Sequence, residues 1–313
     1  KCIRRGENFY SAYFSGAPGV FFPNPGSKLL ELSAGEFNKA LAVKPSPRCL
    51  LNLAMVKSAF DFLFHKEETL KNKAAEIIPL FEKIMSLYPS YAMAYFHVGI
   101  VHFRVGNHRE ALHTFIEALR MFRDDRSHID SWCLQNRDYS LFNSLIRSPL
   151  NANLVSLCIG QDENTEKNIR RLYQSVILYL IAILEEENRN IYKGLKACLE
   201  SYDLYPESGV IAWKAASLLA ILAFKEESLF LYKRAINLLP LSVDLRIGYI
   251  KLLYVYEKDD ELVNELKGAL SITKTVVALR EKSNELKALF ADFERFHTNT
   301  CYSQYDAKEL TLN

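Results

Sequence analysis

The sequence predicts an all-α chain built from helical hairpins repeated along its length. Three observations carry this reading. The interval from Pro206 to Pro240 is 240 − 206 = 34. Small and large side chains fall at matching places before each of these prolines. The stretch from Ala92 to Arg123 carries the same alternation with a glycine at its centre. A chain of 313 residues is longer than one hydrophobic core usually needs, which leaves two domains or an extended array.

In that stretch Tyr95, Val98 and Gly99 fall on a first helix, Gly106 on a turn, and Ala111, Phe115 and Ala118 on a second helix. Gly99 and Ala111 are small where paired helices press closest, and Tyr95 and Phe115 fill the space beside the contact. Gly106 permits the positive φ that stops the first helix. Between the two prolines, Ala216, Ser228, Tyr232 and Ala235 take the small, small, large and small places. Ahead of Pro206 the series is Ala182, Gly194, Cys198 and Ser201; beyond Pro240 it is Ile250, Leu262, Leu266 and Ala269, with Ile250 departing from the small-residue rule. Phe37, Ala40 and Pro45 read as a second helix near the start. The interval from Pro45 to Pro89 is longer, 89 − 45 = 44, and the surplus is expected to lengthen a charged turn at His65–Lys73 between helices at 49–64 and 74–88.

This pattern resembles the tetratricopeptide repeat, with His102 replacing the usual Tyr and Arg123 the closing Pro. The resemblance implies helix pairs stacked into a right-handed superhelical solenoid, with the first helix of each pair lining the concave side. It specifies a scaffold rather than an activity. In this family ligand contacts come mainly from the second, fifth, ninth, twelfth and thirteenth residues of that helix. Carried over, these are Met93, Phe96, Ile100, Phe103 and Arg104 in one repeat, and Val176, Tyr179, Ile183, Glu186 and Glu187 in another. In a third they are Val210, Trp213, Ser217, Ala220 and Ile221. The lining is apolar, and Phe96 and Ile100 stand where a clamp for a C-terminal carboxylate would need polar donors. The implied function is binding a protein or peptide partner at Met93, Phe96, Ile100, Phe103, Arg104, Tyr179, Ile183, Trp213 and Ser217, as part of a larger protein that starts before Lys1. Packing of these apolar residues on neighbouring repeats is the competing reading. An accessory, substrate-positioning region of an enzyme such as a glycosyltransferase is the alternative function, by fold-level analogy alone.

The expected organisation is an irregular Gly, Pro and aromatic segment at 1–27, a first block of helix pairs at 28–123, and an irregular or degenerate helical insert at 124–165. A second block follows at 166–270, then a capping helix and tail at 271–313. Gly16–Gly19 and Pro23–Gly26 read as non-helical. Residues 9–22, rich in Phe and Tyr, are expected to cover part of the repeat surface.

Composition and motifs narrow the chemistry. The net charge of +2 gives no electrostatic case for nucleic acid or an anionic membrane. Val176–Leu184, among the longest apolar stretches, falls short of the ~20 residues a span requires. Six scattered cysteines with no Cys-x-x-Cys read as free thiols of a reducing, cytoplasmic compartment. There is no Gly-rich phosphate loop, Gly-x-Ser-x-Gly or His-Glu-x-x-His, so no catalytic residue, cofactor or metal site is assigned. His97, His102, His108 and His113 crowd into one repeat, but a separation of five places neither pair on one helix face. Elemental analysis of the purified chain should find no stoichiometric transition metal; one whose chelation unfolds the chain would overturn this assignment.

Overall fold

Eleven helices of eight or more residues carry most of the described part of the computed structural model, which comprises residues 2, 25–44, 46–64, 67–124, 163–275, 284–289 and 291. These residues divide into two compact units, one running up to Tyr205 and the other starting at Pro206. The first holds α1 (Pro25–Val43), α2 (Pro47–Phe64), α3 (Glu67–Leu87), α4 (Ala92–Arg104), α5 (His108–Arg123), α6 (Glu163–Glu187) and α7 (Ile191–Leu204). The second holds α8 (Gly209–Ile221), α9 (Lys225–Leu238), α10 (Val243–Val255) and α11 (Asp259–Thr275). Inside each unit, helices that follow one another among the described residues pack together. The hairpins are α2–α3, α4–α5, α6–α7, α8–α9 and α10–α11. The block expected at 166–270 therefore covers the last hairpin of the first unit and nearly all of the helices named in the second. The segments expected at 1–27 and 124–165 lie outside the described residues, save for Cys2, the start of α1, Asp124 and the start of α6.

Prolines set the helix ends. α3, α7 and α9 stop at Leu87, Leu204 and Leu238, each two residues before Pro89, Pro206 and Pro240. A proline cannot donate the next helical hydrogen bond, and it pushes the residue before it out of helical geometry. Where the proline is missing the helix runs on. α5 carries Arg123 at that place and spans 16 residues, and α11 spans 17, against 14 for α7 and α9.

Three expectations are corrected. Glu67–Lys73 belongs to α3 rather than to a charged turn, so the surplus of the long repeat goes into helix, with 18 residues in α2 and 21 in α3. α1 begins at Pro25 and includes Gly26, where a non-helical turn was expected. A first-turn proline loses nothing there, because its missing N–H would have had no helical partner. Ser271–Thr275 likewise ends α11 instead of opening a capping helix.

The close contacts fall where the small residues are. A Cβ on Gly99 would stand 2.6 Å from the Phe115 ring, and one on Gly194 would stand 3.1 Å from the Ala182 carbonyl oxygen. Where the small place holds serine, its hydroxyl is bonded across the hairpin. Ser228 donates to the Ala216 carbonyl at 2.8 Å, and Ser201 and Ser175 each donate to the other's carbonyl, at 2.7 and 2.9 Å. A buried hydroxyl without such a partner would carry a desolvation penalty.

Every hairpin turn from α4 onward repeats one geometry. Gly106, Arg189, Ala223 and Glu257 have φ of 78°, 62°, 63° and 55°. The last three recur at the interval of the prolines, 223 − 189 = 34 and 257 − 223 = 34. In each turn the following N–H reaches the carbonyl five residues back: Asn107 to His102, Asn190 to Glu185, Phe224 to Leu219 and Lys258 to Leu253, at 2.8–3.0 Å. This is a left-handed helix stop, and only the first is occupied by the residue type that takes it without strain.

In the second unit a polar chain links all four helices. The Trp213 indole N–H donates to the Tyr232 hydroxyl, the Tyr232 and Tyr249 rings stack at 5.6 Å, and Tyr249 donates to Glu261 at 2.6 Å. Lys233 pairs with the same carboxylate at 2.7 Å. Burial, then the bond to Glu261, pushes the Tyr249 hydroxyl above its ordinary range. Burial alone would raise the Glu261 carboxyl, but bonds from Lys233 and Tyr249 together hold it below its usual value.

These contacts can be tested by melting. Ala223→Gly should raise the melting temperature and Gly106→Ala lower it, each by the equivalent of ~1 kcal/mol for a side chain held at positive φ. Gly99→Leu should cost roughly 1–3 kcal/mol by overpacking against Phe115. Melts matching the parent would refute the assignment. The Glu261 pairing stabilises the fold above its ordinary pKa of 4.5 and is lost as pH falls through its lowered value. Glu261→Gln should accordingly lower the melting temperature at pH 7 and change it far less in strong acid.

Candidate functional site on the first-helix face

The residues carried over from the family's ligand positions lie on α4, α6 and α8, and their exposure rises toward the C-terminal end of each helix. On α4, Met93, Phe96 and Ile100 are buried, Phe103 is half-buried and Arg104 exposed. On α6, Val176 is buried, Tyr179, Ile183 and Glu186 are half-buried, and Glu187 is exposed. On α8, Val210, Trp213, Ser217 and Ala220 are half-buried and Ile221 is exposed. Tyr179, Ile183, Trp213 and Ser217 thus keep accessible surface along with Phe103 and Arg104, whereas Met93 and Phe96 are fully enclosed.

The aromatic packing explains that enclosure. Phe96 meets Tyr173 of α6 edge-on at 5.1 Å, and Tyr173 stacks on Phe122 of α5 at 4.8 Å with planes 9° apart. These three rings join α4, α5 and α6 into one core. Gln174 and the buried Arg170, also on α6, donate to the Phe122 and Asp124 carbonyls at the end of α5, both at 2.9 Å. Both bonds satisfy carbonyls that a helix end leaves without intrahelical partners. Phe96 therefore supplies packing between repeats, as the competing sequence reading allowed.

Toward the turns the chemistry becomes polar in the first unit. Phe103 lies 6.4 Å from His108 with rings near parallel, and His108 pairs with Glu187 at 2.8 Å. His97 is buried between Phe81 and Phe96, and burial lowers the pKa of His102. The Tyr179 hydroxyl is pushed up to about 12 by burial, so it stays protonated and serves as a hydrogen-bonding group rather than a base. Ser217 donates to the Lys214 carbonyl of its own helix, 2.9 Å away. Among the described residues no group of three or more His, Cys, Asp or Glu is arranged to hold a metal ion.

The ninth-position series continues past the residues that sequence reasoning named. Lys251 stands one repeat beyond Ser217, and Glu285 one repeat beyond Lys251. Lys251 of α10 pairs with that glutamate at 3.0 Å. The signal was the period itself: counting it onward from Ser217 reaches both partners. Leu286, beside Glu285, is fully buried.

Comparison with known proteins agrees with this architecture. A family profile described as anaphase-promoting complex subunit 5 matches residues 49–147, about a third of the chain. No curated protein matches it. Among solved structures, YrrB, described as a TPR protein with an unusual peptide-binding site, is 16% identical with a TM-score of 0.51, covering 80% of this chain and 98% of its own. The pilF protein of Pseudomonas aeruginosa is 13% identical with a TM-score of 0.55, covering 92% and 99%. Identities this low speak to architecture alone. The repeated left-handed turns, the small residues at the helix contacts and the 34-residue register of the later hairpins make this chain a tetratricopeptide-repeat protein by fold.

Proposed function

We propose that the chain is a protein-interaction scaffold that binds a polypeptide through the accessible side chains of its first helices, without catalysis, cofactor or metal. The observation that carries this is the accessible surface kept by Phe103, Arg104, Tyr179, Ile183, Trp213 and Ser217, with Trp213 and Ser217 one repeat beyond Tyr179 and Ile183, on helices whose other faces are committed to the core. Side chains held on rigid helices with part of their apolar surface open are the material of a binding face. YrrB supports the reading insofar as its description names a peptide-binding site, and the matched family profile is that of a subunit of a complex. Membership of a multi-protein assembly is accordingly part of the proposal. No helix among the described residues is long and apolar enough to cross a membrane, and Cys49 and Cys198 are buried free thiols; both features suit the proposed cytoplasmic setting.

A photo-crosslinking amino acid placed at Ile183 or Ser217 should trap a polypeptide in cells of origin. The same group at Tyr192 or Phe230, exposed on second helices, should not. Equal trapping at all four positions, or trapping only on the second helices, would refute the assigned face.

A further inference from the structure

The last residue of the first helix differs in character between the two units. In α4 and α6 it is Arg104 and Glu187; in α8 and α10 it is Ile221 and Val255. These two apolar side chains are 57% and 70% exposed. Phe224, at 44%, stands in the turn after Ile221, and Tyr254, at 39%, precedes Val255. Lys225 holds the two turns side by side: its ammonium donates to the Tyr256 carbonyl at 3.4 Å and lies 4.9 Å from the centre of the Tyr256 ring. Two turns of the second unit, joined by Lys225, thus carry four exposed apolar side chains.

The same stretches are rich in acid. Residues 221–227 and 254–260 contain Glu226, Glu227, Glu257, Asp259 and Asp260 against Lys225 and Lys258. Of the two lysines, Lys225 is already engaged at Tyr256. Carboxylates in the first turns of α9 and α11 are favourable at helix N-termini, and that preference accounts for their presence. It does not account for four exposed apolar side chains between them. Exposed apolar side chains with carboxylates close by in the same turns are complementary to apolar side chains interspersed with positive charge.

We propose that these two turns of the second unit dock a basic polypeptide segment whose Lys or Arg residues alternate with large apolar side chains. This rests on the reading of the first helices as the partner face and gives that face a partner chemistry. The apolar side chains cover Ile221, Phe224, Tyr254 and Val255, and the cationic ones meet the carboxylates of the same two stretches.

The test is a fluorescence-anisotropy titration of the whole chain with a labelled peptide of alternating Lys and Phe, beside the same peptide with Glu in place of Lys. The Lys peptide should bind at least about tenfold tighter, and added salt should weaken it. Ile221→Lys and Val255→Lys should each weaken it about tenfold or more. Both sites are exposed, so thermal melts should show the variants folded. Equal binding of the two peptides overturns the proposal. If Ile183→Ala and Ser217→Ala weaken binding while the two lysine variants do not, the face survives and this partner chemistry falls. Absence of binding by either peptide overturns the proposal and leaves the first-helix face to the crosslinking test. Binding that appears only after removal of residues 292–313 would make the chain's own tail the occupant. A dimer that Val255→Lys converts to monomer would make it a second copy. Either of these also overturns the proposal.

Discussion

Two helices joined by a short turn lie closest where one of them offers almost no side chain. Gly99 meets this condition against Phe115, and Gly194 meets it against the Ala182 carbonyl. The rest of each hairpin follows from it. A large ring must sit beside the near-contact to fill the gap, the turn must reverse the chain tightly, and the second helix must stop in time for the next hairpin. When the small place carries serine, the hydroxyl finds a carbonyl on the facing helix, as Ser228 finds Ala216. The same position therefore accepts a polar atom without an exposed cavity or an unsatisfied donor.

Much of this could be read from the sequence alone. Gly, Ala and Pro have narrow conformational or steric roles, so their recurrence at a constant interval marks the register, and Pro89, Pro206 and Pro240 each lie just beyond a helix end. The turns were legible only at Gly106. Arg189, Ala223 and Glu257 adopt the same left-handed conformation, but their side chains disfavour it in isolation. Tertiary packing of the two helices holds those residues where local preference would not, and a local reading has no access to that energy. The long repeat was misread for a related reason. Glu67–Lys73 is rich in charge, which suits a turn and an exposed helix face equally well.

The candidate face was legible by position and not by accessibility. Family positions placed Met93, Phe96 and Trp213 alike on first helices, yet Phe96 is closed over by Tyr173 while Trp213 keeps part of its surface. Whether an apolar residue is core or contact depends on which side chain arrives from the next helix. Tyr173 belongs to α6, which follows a stretch of sequence that breaks the period, so its arrival could not be counted from the repeat. The two turns of the second unit show the opposite case. Ile221 and Val255 look like ordinary helix residues, and only the absence of a covering side chain among their described neighbours marks them out.

The indole of Trp213 has a consequence for spectroscopy. The chain has two tryptophans, and the other, Trp132, lies outside the described residues. Trp213 sits at the head of the chain through Tyr232 and Tyr249, with its N–H held by a neutral phenol and its ring only partly shielded. Its emission therefore reports the local order of α8, α9 and α10 together, and the two stacked tyrosines close by are efficient donors of excitation energy to it. Replacing Trp132 with Phe would leave the second unit with a built-in optical probe. Its unfolding could then be followed separately from that of the first unit, without any attached dye.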